Sequence, residues 1–272
     1  MRLSNQIEGR RRGAFISQME RKRRSHLGRS SRLIRSGLNE TIKPLIEAIG
    51  NVQSFEEVSG IANRNLSTDF MKSRYIDLYS EVGVDFANDT YSSIAPPQKS
   101  DKDIVEYQWR ENMRKYVLDE VANRITLITN TTEKEFKRIV NNVVQQAQED
   151  GQSVQDAARE IQKQIGFSNS YRAVRIARTE IVSASNHGSL VGAKSTGLQL
   201  KKVWIATKGG RTRDAHKDMD GKSVNMNEKF RVDVYDGKIK IGDELLEHPG
   251  DPNGSAGNVI NCRCTQGYER II

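Results

Sequence analysis

The sequence predicts an α+β protein: an elongated, mostly α-helical N-terminal part followed by a small C-terminal α+β domain with a short antiparallel sheet. Three observations carry this. Apolar residues recur at helical spacing from about residue 37 to 194. After Gly197 the pattern changes to short alternating runs separated by turn residues, among them an Asp236-Gly237 pair. The chain is also polar throughout, with 36% hydrophobic and 29% charged residues and a mean hydropathy of −0.68 over 272 residues. That composition suits thin helical burial beside one small compact part. Three segments are expected: a basic arm over 1–36, a helical docking region over 37–150 and a C-terminal domain over 151–272.

The elements follow in order. Residues 1–36 hold few apolar side chains and no sustained period, so they are expected to be flexible or partly helical. Leu38, Ile42, Leu45, Ile46 and Ile49 form a stripe that stops at Gly50. A second helical stretch runs from Ser54 to about Ala95, where Pro96-Pro97 ends it. A third spans Ile104 to Gln148, with a break expected at Thr129–Thr132. Gly151 resets the chain, and Ser153 with Asp156 has the form of a helix cap with a first-turn acid. Gly166 is expected to close that helix. The next runs from Ser168 or Ser170 to about Lys194 and is rich in small residues, which permits close packing. Strands are expected at Lys201–Thr207 and at Val259–Thr265, with a hairpin from Phe230 to Ile241.

Composition also excludes. No run approaches the ~18 apolar residues that span a bilayer, and the N-terminus is polar and arginine-rich with no apolar leader segment. Two cysteines make no disulfide framework, so synthesis in a reducing cytoplasm is expected. The net charge of +8 is concentrated: residues 1–36 are +9 and the remaining 236 residues sum to −1. Ten of the eleven cations in that arm are arginine, the side chain that forks onto phosphate. Arg10, Arg11, Arg12, Arg21, Lys22, Arg23 and Arg24 are therefore the candidates for contact with DNA phosphates or an acidic partner. Removing 1–36 is expected to abolish DNA binding and leave a soluble, folded remainder.

Chemistry gathers in the last sixty residues. Cys262 and Cys264 are the only cysteines, and on a strand their side chains would share a face. With His216 and His248 they offer the thiolate and imidazole donors that zinc favours. Asp214 is a further donor, and a buried pair of plain thiols is the competing interpretation. Asp214, His216, Asp218 and Asp220 also have the composition of a metal-dependent nuclease centre. Lys208-Gly209-Gly210-Arg211 is too short for a phosphate loop.

The order of pieces is itself a signature. Ala177-Arg178-Thr179-Glu180 and Asn186-His187-Gly188 come first, followed by Lys202-Val-Trp-Ile205 and then Arg211-Thr-Arg-Asp-Ala-His216 with Asp220-Gly221. Phe230, His248-Pro-Gly-Asp-Pro252 and Asn261-Cys-Arg-Cys264 complete it. This resembles the C-terminal domain of the phage Mu F-like head morphogenesis family, the minor head or minor capsid proteins, over roughly residues 150–268. A hairpin insertion between Phe230 and His248 departs from the family's pattern. The resemblance implies a virion component in the head interior or at the portal vertex, made in the host cytoplasm. Its implied partners are the phage portal and/or major capsid protein and double-stranded DNA bound without sequence preference, with no membrane at assembly. It implies a role in head assembly and in DNA packaging or delivery, and no catalytic activity. His216, Cys262 and Cys264 would be its polar centre, supported by Arg178, Glu180, Arg211, Arg213 and Asp214. The alternatives are a nonspecific DNA-binding protein acting outside a particle and a metal-dependent nuclease.

Overall fold

The computed structural model describes residues 10–95, 102–207 and 209–271. Among the described residues, six long or medium helices precede a small sheet region: α1 (Arg10–Gly50), α2 (Phe55–Ala62), α3 (Asp69–Ile94), α4 (Lys102–Asp119), α5 (Ala122–Glu149) and α6 (Val154–Lys194). Then come β1 (Leu200–Ile205), α7 (Asp214–Asp218), β2 (Ser223–Asn225), β3 (Phe230–Asp236), β4 (Ile239–Leu246), α8 (Ala256–Val259) and β5 (Thr265–Arg270). The α+β class is as the periodicity predicts. None of the described helices is long and apolar enough to cross a membrane.

The chain forms two compact units that interleave in sequence. One comprises Met1–Ser30, Ile76–Glu120 and Ala177–Ile272, the other Ser31–Tyr75 and Val121–Ile176. The all-helical unit buries Ile42, Leu45 and Ile49 of α1 with Val58 and Ile61 of α2, Phe136, Ile139, Val140 and Val143 of α5, and Ala157, Ile161 and Ile165 of α6. Its boundaries are set locally. Ser54 caps α2 by accepting from Glu57 N at 3.2 Å. Gly151 at φ +65 closes α5, with Gln152 N donating to Ala147 O at 2.8 Å, the arrangement that satisfies terminal carbonyls. Ser153 then caps α6 through Asp156 N at 3.1 Å, as the sequence suggests.

The other unit carries the sheets. A three-stranded antiparallel sheet runs β2-β1-β5, and β3-β4 form a separate hairpin. Trp204, Phe230, Val232, Leu246, Ala215, Met219, Cys262 and Cys264 share one core. Leu190 and Ala193 of α6 pack with Ile94, Leu200 and Tyr268 in another. Helices α3 and α6 touch backbone to backbone: a Cβ at Gly188 would lie 2.0 Å from Gly83 O, and one at Gly192 2.2 Å from Ala87 O.

Several elements differ from expectation. Residues 10–36 are helical throughout. The stretch 54–95 is two helices, α2 and α3. The break expected at Thr129–Thr132 falls instead between α4 and α5, because Thr129 and Thr132 return their hydroxyls to the carbonyls of Ile125 and Ile128 at 3.0 and 2.7 Å and leave the helix intact. Gly166 lies inside α6 with open space around it, so its propensity cost is absorbed by the packing on either side. Of the strand expected at Val259–Thr265, Val259 ends a helical turn, 260–264 is loop, and only Thr265 belongs to the last strand, β5. Pro96-Pro97 and Lys208 lie outside the described residues.

Candidate functional site

The loop after α8 makes the site. Ile260 is extended, and Asn261 takes φ 56, a left-handed conformation that asparagine tolerates better than most residues. Asn261 N donates to Thr179 Oγ1 at 3.3 Å, and Cys262 N to Val259 O at 3.1 Å. This reversal returns both thiols to the core, where α7 presents His216. Cys262 Sγ lies 3.7 Å and Cys264 Sγ 3.4 Å from the same His216 Nδ1, and Cys264 N donates to Cys262 Sγ at 3.4 Å. All three side chains are buried, and their donor atoms lie within 4.8 Å of one another. Trp204 meets the imidazole edge-on at 5.5 Å. The hydrogen bond with Cys264 and the nearby guanidinia of Arg23 and Arg213 hold the Cys262 thiol below its ordinary value despite burial. Cys264 is pushed well above its ordinary value by its hydrogen bond with Cys262, by burial and by the charge of Cys262. Of the two thiols, Cys262 is thus the one that gives up its proton more readily.

His248 does not join that group. Its Nε2 lies 3.0 Å from Tyr116 Oη and its Nδ1 3.1 Å from Pro249 O, so the ring serves a second, separate cluster. There His187 stacks on Tyr116 at 3.5 Å and 11° and lies 5.7 Å from His248. His187 Nε2 is 3.0 Å from Asn112 Oδ1. The carboxylates of a nuclease centre do not gather either. Asp214 is 81% exposed and paired with Lys217, while Asp220 accepts from Ala206 N and pairs with Arg12. No carboxylate belongs to the His216 group among the described residues.

Beside the thiols lies a recess of about 710 Å³ lined by Glu20, Arg23, Arg24, Leu27, Arg178, Ile181, Val182, Arg211, Arg213, Asn261, Cys262 and Arg263. Six arginines and one carboxylate line it, and Arg263 pairs with Glu20 at 3.9 Å. Arg178, Arg211 and Arg213 line the same recess as Cys262, and Arg213 also donates to Ile260 O at 2.5 Å. Glu180 is elsewhere: it is buried and accepts from Tyr79 Oη at 2.8 Å. Asp214 faces solvent.

The arm's cations divide. The side chains of Arg10 and Arg11 lie outside the described residues. Arg12 pairs with Asp220, and Lys22 with Asp85 and Asp89. Arg23 is buried and donates to Ser185 Oγ at 2.8 Å, Asn186 Oδ1 at 3.0 Å, Arg263 O at 3.1 Å and Cys264 O at 3.3 Å. Burial lowers its pKa to about 10, opposed by the charges of Cys262, Cys264 and Glu20. Arg21 and Arg24 remain exposed. Three residues within the motifs were given no role by the sequence. Asn186 ties Arg23, Pro249 O and Cys264 O together; Arg263 joins the recess; Lys202 is fully buried, donates to Glu247 O at 2.8 Å and is drawn down to about 8 by burial. The Arg between the two cysteines was the one available signal for Arg263, and a lysine mid-strand gave none.

With this geometry in place, the comparisons with known proteins bear on the same stretch. A family model described as phage Mu protein F like protein matches residues 138–267. Residues 138–267 belong to the phage Mu protein F like family. The Mu F like segment includes His216, Cys262, Cys264 and every recess residue outside α1. Minor head protein GP7 of Bacillus phage SPP1 is 29% identical over 155 residues, 54% of this chain and 47% of that protein. An NAD(+)--arginine ADP-ribosyltransferase, EFV, of Enterococcus faecalis is 33% identical over 132 residues, 47% of this chain and 25% of that protein. The uncharacterized protein YqbB of Bacillus subtilis is 28% identical over 128 residues, 46% of this chain and 39% of that protein. The matches therefore span a quarter to about half of the length of these relatives. No solved structure matches the chain.

Proposed function

We propose that the chain is a minor head protein of a tailed bacteriophage, positioned at the portal vertex or the inner face of the head, where it holds DNA without reading sequence. Membership of the Mu F like family and the likeness to the SPP1 minor head protein support the assignment to the head. The observation that carries the DNA contact is the recess, lined by six arginines, of which Arg23 is engaged internally, and a single carboxylate. Arginine forks onto phosphate oxygens, and contacts of this kind position a protein on DNA with no preference for bases. Arg21 and Arg24 of α1 extend the same charge onto the exposed surface. The role is structural and involves no turnover, with the portal and/or major capsid protein as partner.

Two measurements test this. The protein is expected to co-sediment with assembled heads; its absence from purified heads would remove the virion assignment. The triple variant Arg178→Ala, Arg211→Ala, Arg263→Ala is expected to bind duplex DNA more weakly for all sequences, with a log–log salt dependence shallower by roughly 2–3. An unchanged salt slope would remove the recess from the DNA contact.

A further inference from the structure

We infer that His216, Cys262 and Cys264 form a binding site for one zinc ion. The inference rests on the geometry of three side chains and does not depend on the proposed role in the head. The donors come from two segments 46 and 48 residues apart, α7 and the loop before β5, and all three are at most 3% exposed. Zinc binds imidazole nitrogen at ~2.1 Å and thiolate at ~2.3 Å with tetrahedral angles, which places a nitrogen and a sulfur on one ion ~3.6 Å apart. The two observed separations, 3.4 and 3.7 Å, fall on either side of that value.

Hydrogen bonding alone accounts poorly for the arrangement. A ring nitrogen carries either one hydrogen or one lone pair, so a single Nδ1 serves one thiol well and cannot serve two. Here both sulfurs address the same Nδ1. A cation at their common focus satisfies all three donors at once. It also settles the charge: two thiolates and a neutral imidazole around a divalent ion make a neutral buried group, whereas two bare thiolates in one core would repel each other. The other ring nitrogen, Nε2, is buried with no hydrogen-bond partner among the described residues, so nothing on that side fixes the tautomer. Coordination at Nδ1 would fix it, with the hydrogen on Nε2.

The surroundings serve such a site. Arg23 donates to the carbonyls of both Arg263 and Cys264, which holds the loop that presents the thiols. No fourth side chain joins the donor set among the described residues, while Cys262 borders the recess. The fourth position would therefore belong to water or to an anion entering from the arginine side, the three-ligand pattern of an accessible zinc.

The test uses the full chain, purified under reducing conditions without added chelator. Elemental analysis is expected to find about one zinc per chain, falling below about a tenth in Cys262→Ser, Cys264→Ser. His216→Cys should retain the metal and His216→Ala should lose it. Should the serine variant fail to fold, cobalt replacement in the unaltered chain decides: a near-ultraviolet thiolate-to-cobalt charge-transfer band with intense tetrahedral visible bands supports the site. Zinc below about a tenth per chain together with no charge-transfer band overturns the inference. So does a Cys262–Cys264 disulfide in the freshly isolated protein, or full zinc content in His216→Ala.

Discussion

His187 and His248 are two buried imidazoles whose ring centroids lie 5.7 Å apart. Burial is the main cause that lowers both below the ordinary 6.5, His187 well below. Each also feels a like charge: His248 and Lys194 act on His187, and Lys202 acts on His248. Asp251 and Glu247 oppose the shift at His248 without reversing it. The consequence for stability has a definite sign. Below about pH 6.5 the unfolded chain binds protons at these sites that the folded chain refuses, so stability falls as pH drops from 6.5 toward 5. The melting temperature is therefore expected to be lower at pH 5.5 than at pH 7.5. His187→Phe, which preserves the ring against Tyr116, should reduce that acid loss even if it lowers stability at neutral pH. An identical acid dependence in the variant would show that other groups control it.

At the scale of elements, α6 contains two glycine environments that predict opposite outcomes. A Cβ at Gly188 would lie 2.0 Å from Gly83 O and 2.6 Å from Gly83 C, atoms of a facing helix backbone that cannot move aside. Gly188→Ala is expected to cost 1–3 kcal/mol or more, the range for overpacking. Gly166 lies in the same helix with nothing within 4 Å of an added Cβ. Gly166→Ala should stabilise by about 0.5–1 kcal/mol, the helix-propensity difference. Denaturation midpoints of the two variants test both, and equal effects would mean that the α3–α6 contact is looser than described. The same pair shows what the sequence could express. The run of small residues from Ala173 to Ala193 was legible as a close-packing surface because packing is a property of the helix face. The continuity of α6 through Gly166 was not, since an exposed glycine costs only about 1 kcal/mol and neighbouring turns outweigh it. The Cys-x-Cys pair was legible as partner to His216, but for the wrong local reason. The thiols converge through the left-handed Asn261 and the turn before β5, a backbone reversal that no alternation of side chains encodes. His248 was drawn into the same group by composition, and only the fold reveals that Tyr116 and Pro249 occupy it.

At the scale of the molecule, a charge count and a fold assign the N-terminal segment to different tasks. The +9 over residues 1–36 suggests an appendage that could be cut away. In the folded chain part of that charge is engaged within the protein. Arg23 supplies four hydrogen bonds to the loop bearing the thiols and to α6, and Lys22, His26 and Arg29 pair with Asp85, Asp89 and Glu81 of α3. Ile34 is buried as well. Deleting 1–36 would remove the charged one of two donors from Asn186 Oδ1 and from the carbonyls of Arg263 and Cys264, leaving Thr265, Thr207 and Asn186 as the others. Hydrogen bonds from a charged donor contribute about 1.5–3 kcal/mol each, so the four that Arg23 makes are together a large share of the roughly 5–15 kcal/mol that holds a typical domain folded. The truncated chain is therefore expected to lose the cooperative unfolding transition of the sheet-bearing unit, visible as a loss of near-ultraviolet signal from Trp204 and as rapid proteolysis between residues 177 and 271. A truncated protein with an unchanged transition would mean that the helix from Arg10 to Ser30 rests on the unit without supporting it. In that case the arm would regain the role that its charge alone suggests, and DNA retention of the truncated chain would become a fair test of it.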